Sequence, residues 1–333
     1  MKRWLADQRR KHPGGFVLSS LLLLVCILMI AVSPSRFLRV GNIQSMAFQL
    51  PELGLLSLAM MVIMINGGIN LSIVSTANLT GITAAMIMEA TVPAGATGLQ
   101  AFPMVMIAVL VSLVVSMMVG AGNGLLVARL GMSPILSTLG TMTLLNGISI
   151  LLTKGYVISG FPSPFVFLGN GLPFGIPFPM IIFVIAAIVV AVLLGRTPFG
   201  FELYLLGTNA VAAGYAGIRN RRILMMSYVV SGLLSGFAGL IMASRFNSAK
   251  SDYGSSYLLV TVLAAVLGGT SSSGGYGKVS GLVLALIILQ MVSSGLNLMQ
   301  ANAFLTRALW GVILIAVMIV AYRSGRKTGR VEA

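Results

Sequence analysis

Long apolar runs separated by short polar stretches make up most of this chain. In order, they predict ten membrane segments, at about 16–32, 51–66, 70–89, 102–126, 133–152, 176–195, 223–244, 257–270, 279–298 and 305–322, since a helix needs roughly 20 apolar residues to cross a bilayer. The period-2 alternation of an outer-membrane barrel is absent. The third and eighth segments are weak, being polar or short, so an alternative reading has eight crossings and two re-entrant segments. Either way the fold class is all-α: one polytopic membrane bundle over 16–322, with basic tails at 1–15 and 323–333. The first run, FVLSSLLLLVCILMIAV, exceeds the 7–15 apolar residues of a secretory signal and reads as a retained helix.

Two interruptions stand out. NGGINLSIVSTANLTG at 66–81 and LGGTSSSGGYGKVSG at 267–281 each carry a Gly-Gly pair followed by hydroxyl residues. Irregular polar backbone at membrane depth is tolerated only where protein buries it or where it lines a cavity. Paired interruptions in corresponding places point to two pseudo-repeated halves with a transport path between them. Close helix packing through small residues is the plainer alternative. On the first reading the pathway includes Asn66, Gly67, Gly68, Asn70, Ser72, Ser75, Asn78, Gly268, Gly269, Thr270 and Ser271, with the amides and hydroxyls of 66–78 facing water.

Composition agrees with a lipid-embedded chain. It is 57% hydrophobic and only 8% charged, with a mean hydropathy of +1.02, where soluble domains carry about 25% charged residues. The pI of about 10.8 does not signal nucleic acid, because the basic residues flank apolar runs. With both termini in the cytoplasm, fifteen of the 21 Lys and Arg fall inside, as the positive-inside rule requires. The six left outside are Arg36, Arg39, Lys154, Arg245, Lys250 and Arg307. The lone Cys26 excludes an internal disulfide and any multi-cysteine metal site. Only Glu52 and Glu89 among the acids fall near the membrane, and both read as exposed residues at outer helix ends. A P-loop is missing: Ser272 stands where its first glycine belongs ahead of Gly277-Lys278-Val279. No catalytic triad is present, so the sequence reads as not an enzyme, with no cofactor of its own.

The longest hydrophilic inside stretch, 195–222, holds a short apolar helix at 210–218 behind the possible caps Thr208 and Asn209. Its small-residue surface suits a groove on a partner protein. An interfacial helix lying on lipid is the alternative.

Three motifs carry a family resemblance. GGINLS at 67–72 is similar to GGIDLS, GTNAVAAGYAGI at 207–218 to GxNxxAAxxxGI, and AAVLGGTSSSGGYGKVSG at 264–281 to AAVxLGGTSxxGGxGxxxG. Together, in this order, they resemble the permease subunits of bacterial ATP-binding-cassette (ABC) importers, in the sugar branch of the ribose/branched-chain amino acid permease superfamily. The resemblance covers about 16–322. It implies import of a small sugar or sugar-like solute across the bacterial cytoplasmic (inner) membrane. It also implies a second permease subunit, identical or not, two cytoplasmic ATPase subunits that hold the ATP and Mg, and a periplasmic or tethered solute-binding protein. Gly207, Asn209, Ala212, Ala213, Gly214, Gly217 and Ile218 would form the ATPase-coupling loop. One position departs from the family pattern, Asn70 in place of the usual Asp; Val211 stands for the Glu of the wider importer loop, a common feature of the sugar branch. A stand-alone carrier or channel remains the alternative; it would require more buried charge than this sequence offers.

Overall fold

The computed structural model describes residues 13–33, 36–93 and 98–328; the extreme basic ends lie outside the described residues. Among the described residues the chain forms thirteen α-helices. They are α1 (Pro13–Val32), α2 (Val40–Ile65), α3 (Ile73–Thr91), α4 (Gly98–Ala128), α5 (Pro134–Thr153), α6 (Ser163–Asn170), α7 (Phe178–Arg196), α8 (Pro198–Thr208), α9 (Ala210–Tyr215), α10 (Asn220–Phe246), α11 (Tyr257–Leu267), α12 (Val279–Leu298) and α13 (Ala303–Thr328). Two-residue strands, β1 (Ile158–Ser159) and β2 (Ser248–Ala249), pair antiparallel. The fold is an all-α polytopic membrane bundle.

Every predicted segment holds a helix, but two differ in extent. α2 begins at Val40, eleven residues before the predicted start. Its early turns contain Asn42 and Gln49, which depress local hydropathy yet face other helices: Ser294 Oγ donates to Asn42 Oδ1 at 2.8 Å, and Gln290 Nε2 to Gln49 Oε1 at 3.3 Å. The weak third segment is a full-length helix of 19 residues. The weak eighth, α11, has only 11 residues and rises about 16 Å, half of a hydrocarbon core of about 30 Å. The chain still passes from end to end there. It leaves β2 at the end where α10 finishes, and by Gly275 it has reached Ile65, where Gly275 N–H donates to Ile65 O at 2.8 Å. α11 is therefore the helical part of a broken crossing, neither a full span nor a re-entrant hairpin.

That contact defines the two ends of the bundle. The near end gathers Ile65, Gly207 and Gly275; the far end holds β1, β2 and the last turn of α10. α1 lies parallel to α12, with Met29 against Gly295, and α13 returns antiparallel. The described portions of both termini thus point to the near end.

Apolar residues are arranged for a lipid solvent. α2 is buried on every side from Leu50 to Ile65, as a central helix must be. α4, α5 and α7 turn large side chains outward, among them Met118, Leu151 and Ile185, at 67%, 77% and 57% exposure. The innermost packing joins α10 to α3 and α4 through small residues. A Cβ added at Gly239 would strike Ala77 O, and one at Gly120 would strike Tyr228 O.

Two outcomes follow from this packing. Gly239→Ala is expected to destabilise the bundle by about 1–3 kcal/mol through overpacking. Gly140→Ala, on an open face of α5 where no atom lies within 4 Å, is expected to be neutral or to stabilise by about 0.4–1 kcal/mol. Thermal unfolding in detergent distinguishes them. Reporter fusions after residues 160 and 250 should give one sidedness and a fusion after 212 the opposite; a shared signal at 160 and 212 would contradict the arrangement.

Candidate transport pathway and coupling site

Both interrupted helices end in the same way. Gly67, at φ 83°, closes α2: Gly67 N–H donates to Met64 O and Gly68 N–H to Ile63 O. Gly269, at φ 85°, closes α11: Gly269 N–H donates to Val266 O and Thr270 N–H to Ala265 O. These are Schellman ends, where a left-handed glycine lets the last carbonyls find donors. In this local geometry Gly67 corresponds to Gly269, and Gly217 ends α9 with the same pair of bonds. The two Gly-Gly pairs are thus offset by one residue.

After Gly67 the chain runs without helix to Ser72, and its polar groups are held from three sides. Asn66 Nδ2 donates to Ser227 Oγ at 2.9 Å and Asn70 Nδ2 to Ser231 Oγ at 3.1 Å, both on α10. Asn70 Oδ1 accepts from Ser72 N and Ser72 Oγ, at 3.1 and 2.8 Å. Asn123 Nδ2 of α4 donates to Ser72 Oγ at 2.8 Å. Leu71 N–H donates to Thr138 Oγ1 of α5, and that hydroxyl lies 3.2 Å from Ile69 O. Ser75 Oγ bonds back to Ser72 O, while Asn78 Nδ2 reaches Ser251 O and Tyr253 O at 2.8 and 3.0 Å, ahead of α11. Asn70, Ser72, Ser75 and Asn78 are all buried in this conformation, Asn66 partly so, and Gly67 is exposed. Asn70 uses both ends of its amide on hydroxyls and a backbone N–H, which accounts for a neutral residue at this position. Beside these bonds, Asn123 Oδ1 and, at the second break, Thr270 Oγ1 are buried without a hydrogen-bond partner.

The two breaks meet at the near end, and α8 meets both. A Cβ at Gly207 would strike Ile65 O and come within 2.6 Å of Gly275 N; one at Gly274 would lie 2.7 Å from Gly207 O and 2.9 Å from Gly67 N. Tyr204 OH donates to Gly277 O at 2.6 Å. Burial, and after it the neighbouring Tyr276, raises the Tyr204 phenol above its ordinary value, so it remains a neutral donor. Gly207, Gly274 and Gly275 thus let three backbones interlock where side chains would hold them apart. Gly268 packs on Leu282 at the start of α12, and Ser271 N–H donates to Tyr276 O at 2.9 Å.

α9 follows directly. Asn209 caps it, its Oδ1 accepting from Val211 N and Ala212 N, each at 3.0 Å. Asn220 Nδ2 ties Ala210 O to α10 at 2.7 Å. Gly217, at φ 82°, ends it, with Ile218 N–H donating to Ala213 O. The helix covers 210–215, shorter than the predicted 210–218, because that left-handed glycine stops it. Ala213 is buried against the bundle, whereas Ala212 and Gly214 are exposed. The outward surface is not smooth: Val211 and Tyr215 protrude, at 68% and 90% exposure. Beside it lies a cleft of about 340 Å³ lined by Glu202, Arg219 and Arg222, among others.

One predicted placement is overturned. Glu52 is fully buried, not at an exposed helix end, because α2 starts before it. Its Oε1 lies 3.1 Å from Arg245 Nη1, a charge contact without hydrogen-bond geometry, and Tyr257 OH lies 3.4 Å from Oε2. Glu89 is exposed, as expected. Arg245 also lies 4.8 Å from the Phe246 ring. Ser227 and Ser231 could have been found from the sequence, since SYVVS repeats the four-residue spacing of NGGIN. The Glu52–Arg245 pair carries no such local signal.

The permease component of the branched-chain amino acid transport system matches residues 42–322 as a family model. Among curated proteins, the chain is 34% identical over 320 residues to the ribose import permease protein of Bacillus subtilis (strain 168), covering 94% of this chain and 96% of that one. It is 30% identical over 316 residues to an autoinducer 2 import system permease protein of Yersinia pseudotuberculosis serotype O:3 (strain YPIII), covering 93% and 91%. No solved structure matches it. The chain belongs to the family of the branched-chain amino acid transport system permease component.

Proposed function

We infer that this chain is the membrane-spanning subunit of an ABC importer and passes a neutral sugar or sugar-like solute into the cytoplasm of a bacterium. The observation that carries the reading is the interlock of α8 with both helix breaks, immediately ahead of the exposed helix α9. α9 docks on cytoplasmic ATPase subunits, which hold the ATP and Mg. Force on α9 reaches Gly207 and, through it, Ile65, Gly67 and Gly274–Gly275, without a flexible linker between. The near end then lies in the cytoplasm, as the positive charge of residues 219–222 and 323–327 favours, and both termini are cytoplasmic. A second permease subunit, identical or not, completes the pathway. A periplasmic or tethered binding protein delivers the solute at the far end. The likeness to ribose and autoinducer 2 permeases supports a sugar-like cargo.

The seam between α3 and α10 is closed in this conformation, and Asn66, Asn70, Ser72, Ser75 and Asn78 are held by the bonds described above. Passage requires a second state in which the amides exchange Ser227 and Ser231 for water or solute hydroxyls. The unpartnered oxygens of Asn123 and Thr270 support such hydration, since a buried polar atom without a partner costs roughly 1–3 kcal/mol.

Reconstitution with a cognate ATPase and binding protein tests this reading: uptake should depend on ATP, and uptake by the chain alone would overturn it. Tyr215→Asp, on the exposed face of α9, is expected to lower solute-stimulated ATP hydrolysis and uptake at least 10-fold while the permease still folds. Gly207→Val should leave the ATPase bound but cut uptake by a similar factor. In a Cys26→Ser background, Asn70→Cys and Ser75→Cys should react with a small water-soluble thiol reagent in one nucleotide state and be protected in the other. Protection in both would mark the break as a static junction.

A further inference from the structure

A cavity of about 210 Å³ lies between α2, α11, α12 and α13, apart from both helix breaks. Its wall brings together Gln49, Gln290, Asn297, Ser293, Tyr257 and Trp310, with apolar Leu53, Val260 and Leu289 between them. Gln290 sits eleven residues along α12 from its near-end start, about 16 Å up the helix, which is close to the middle of a hydrocarbon core of about 30 Å. Asn297 lies further toward the far end. Two carboxamides at this depth are costly unless they are paired or wet, and they pair with each other: Gln290, with 7% exposure, donates through Nε2 to Gln49 Oε1 at 3.3 Å. The space itself, room for about seven waters by liquid volume, is larger than these side chains need for each other.

We propose that this cavity is a transient binding station for one neutral polyhydroxylated solute on its way from the far end of the bundle to the near end. The chemistry of the wall selects that class. Carboxamides and hydroxyls both donate and accept, so they match vicinal hydroxyls in any orientation. The indole of Trp310 offers an apolar face to the C–H side of a sugar ring, with its N–H as a polar handle. None of the described lining residues carries a charge, so a phosphorylated or carboxylated solute would lose its hydration with no counter-ion to replace it. The Gln49–Gln290 bond is long, at 3.3 Å, and two amides that release each other for hydroxyls lose little. The station therefore holds its solute weakly, as a site that must also let go requires. This proposal rests on the sugar-import reading, but it concerns residues outside the breaks and the coupling helix.

The test uses the full chain in lipid nanodiscs. The sequence has two tryptophans, Trp4 and Trp310, so Trp4→Phe leaves Trp310 as the sole indole. Its emission is followed during titration with D-ribose, D-xylose, D-glucose and glycerol, and with ribose 5-phosphate as the charged control. The expected result is a saturable change for at least one neutral sugar, none for the phosphate, and at least 10-fold weaker binding in Gln290→Leu and in the more exposed variant Asn297→Leu. Thermal unfolding identifies any variant that has lost its fold; Asn297→Leu, at an exposed position, keeps the test decisive if Gln290→Leu fails. A linear response, no response to the whole neutral panel, or equal binding in Asn297→Leu would overturn the station. ATP-driven uptake by the assembled complex is measured alongside. Uptake that persists while Trp310 stays silent refutes the station alone, whereas loss of ATP dependence refutes the importer reading.

Discussion

A backbone N–H or C=O packed away from water has only the protein to bond with, and this bundle interrupts its helices twice among packed neighbours at its near end. The structure depends on how those two interruptions are satisfied. Each begins with a left-handed glycine that folds the last carbonyls of its helix back on donors. Neighbours meet further groups: the Thr138 side chain accepts from the N–H of Leu71 in the first break, and the backbone carbonyl of Ile65 accepts from the N–H of Gly275 in the second. The breaks are thus not loose joints. They are bonded segments, several of whose partners belong to other helices, so moving one requires moving those partners.

α10 occupies the position that makes this arrangement possible. On one face its glycines let α3 and α4 approach to backbone distance; Gly232 and Gly239 would otherwise strike Ser116 O and Ala77 O. On another face its serines, Ser227 and Ser231, bond the amides of the first break. Its last turn carries Arg245 to the buried Glu52, and Ser244 binds the backbone of α6 at Phe165 O and Gly169 N. A single helix therefore sets the spacing of the interior, the polar contacts of the break and the closure of the far end.

The sequence made the class and the segment order legible because hydrocarbon runs of about 20 residues have few other uses. It also made both breaks legible, since Gly-Gly followed by hydroxyls is conspicuous in such runs. The start of α2 was obscured because hydropathy averages over residues without knowing their direction, and Asn42 and Gln49 turn inward to Ser294 and Gln290. The same blindness placed Glu52 at an exposed end, when its partner stands 193 positions away at Arg245. The glycines at 207, 274 and 275 were visible individually, but nothing local says that they touch one another. The short length of α11 was foreshadowed by its weak run; its role as half of a broken crossing needed the contact between Gly275 and Ile65.

The bonds from Asn66 and Asn70 to Ser227 and Ser231 each span 161 residues of chain. At a synthesis rate of about 5–20 residues per second, the first break waits roughly 8–30 s in the membrane before α10 emerges. During that interval its two amides have no serine to receive them, although the hydrophobic helices on both sides are already made. The early half of the protein is therefore a stage that must be sheltered, by the insertion machinery or by water drawn in beside it, until the late half arrives. Slowing the ribosome between these segments would lengthen that exposure without altering a single native contact.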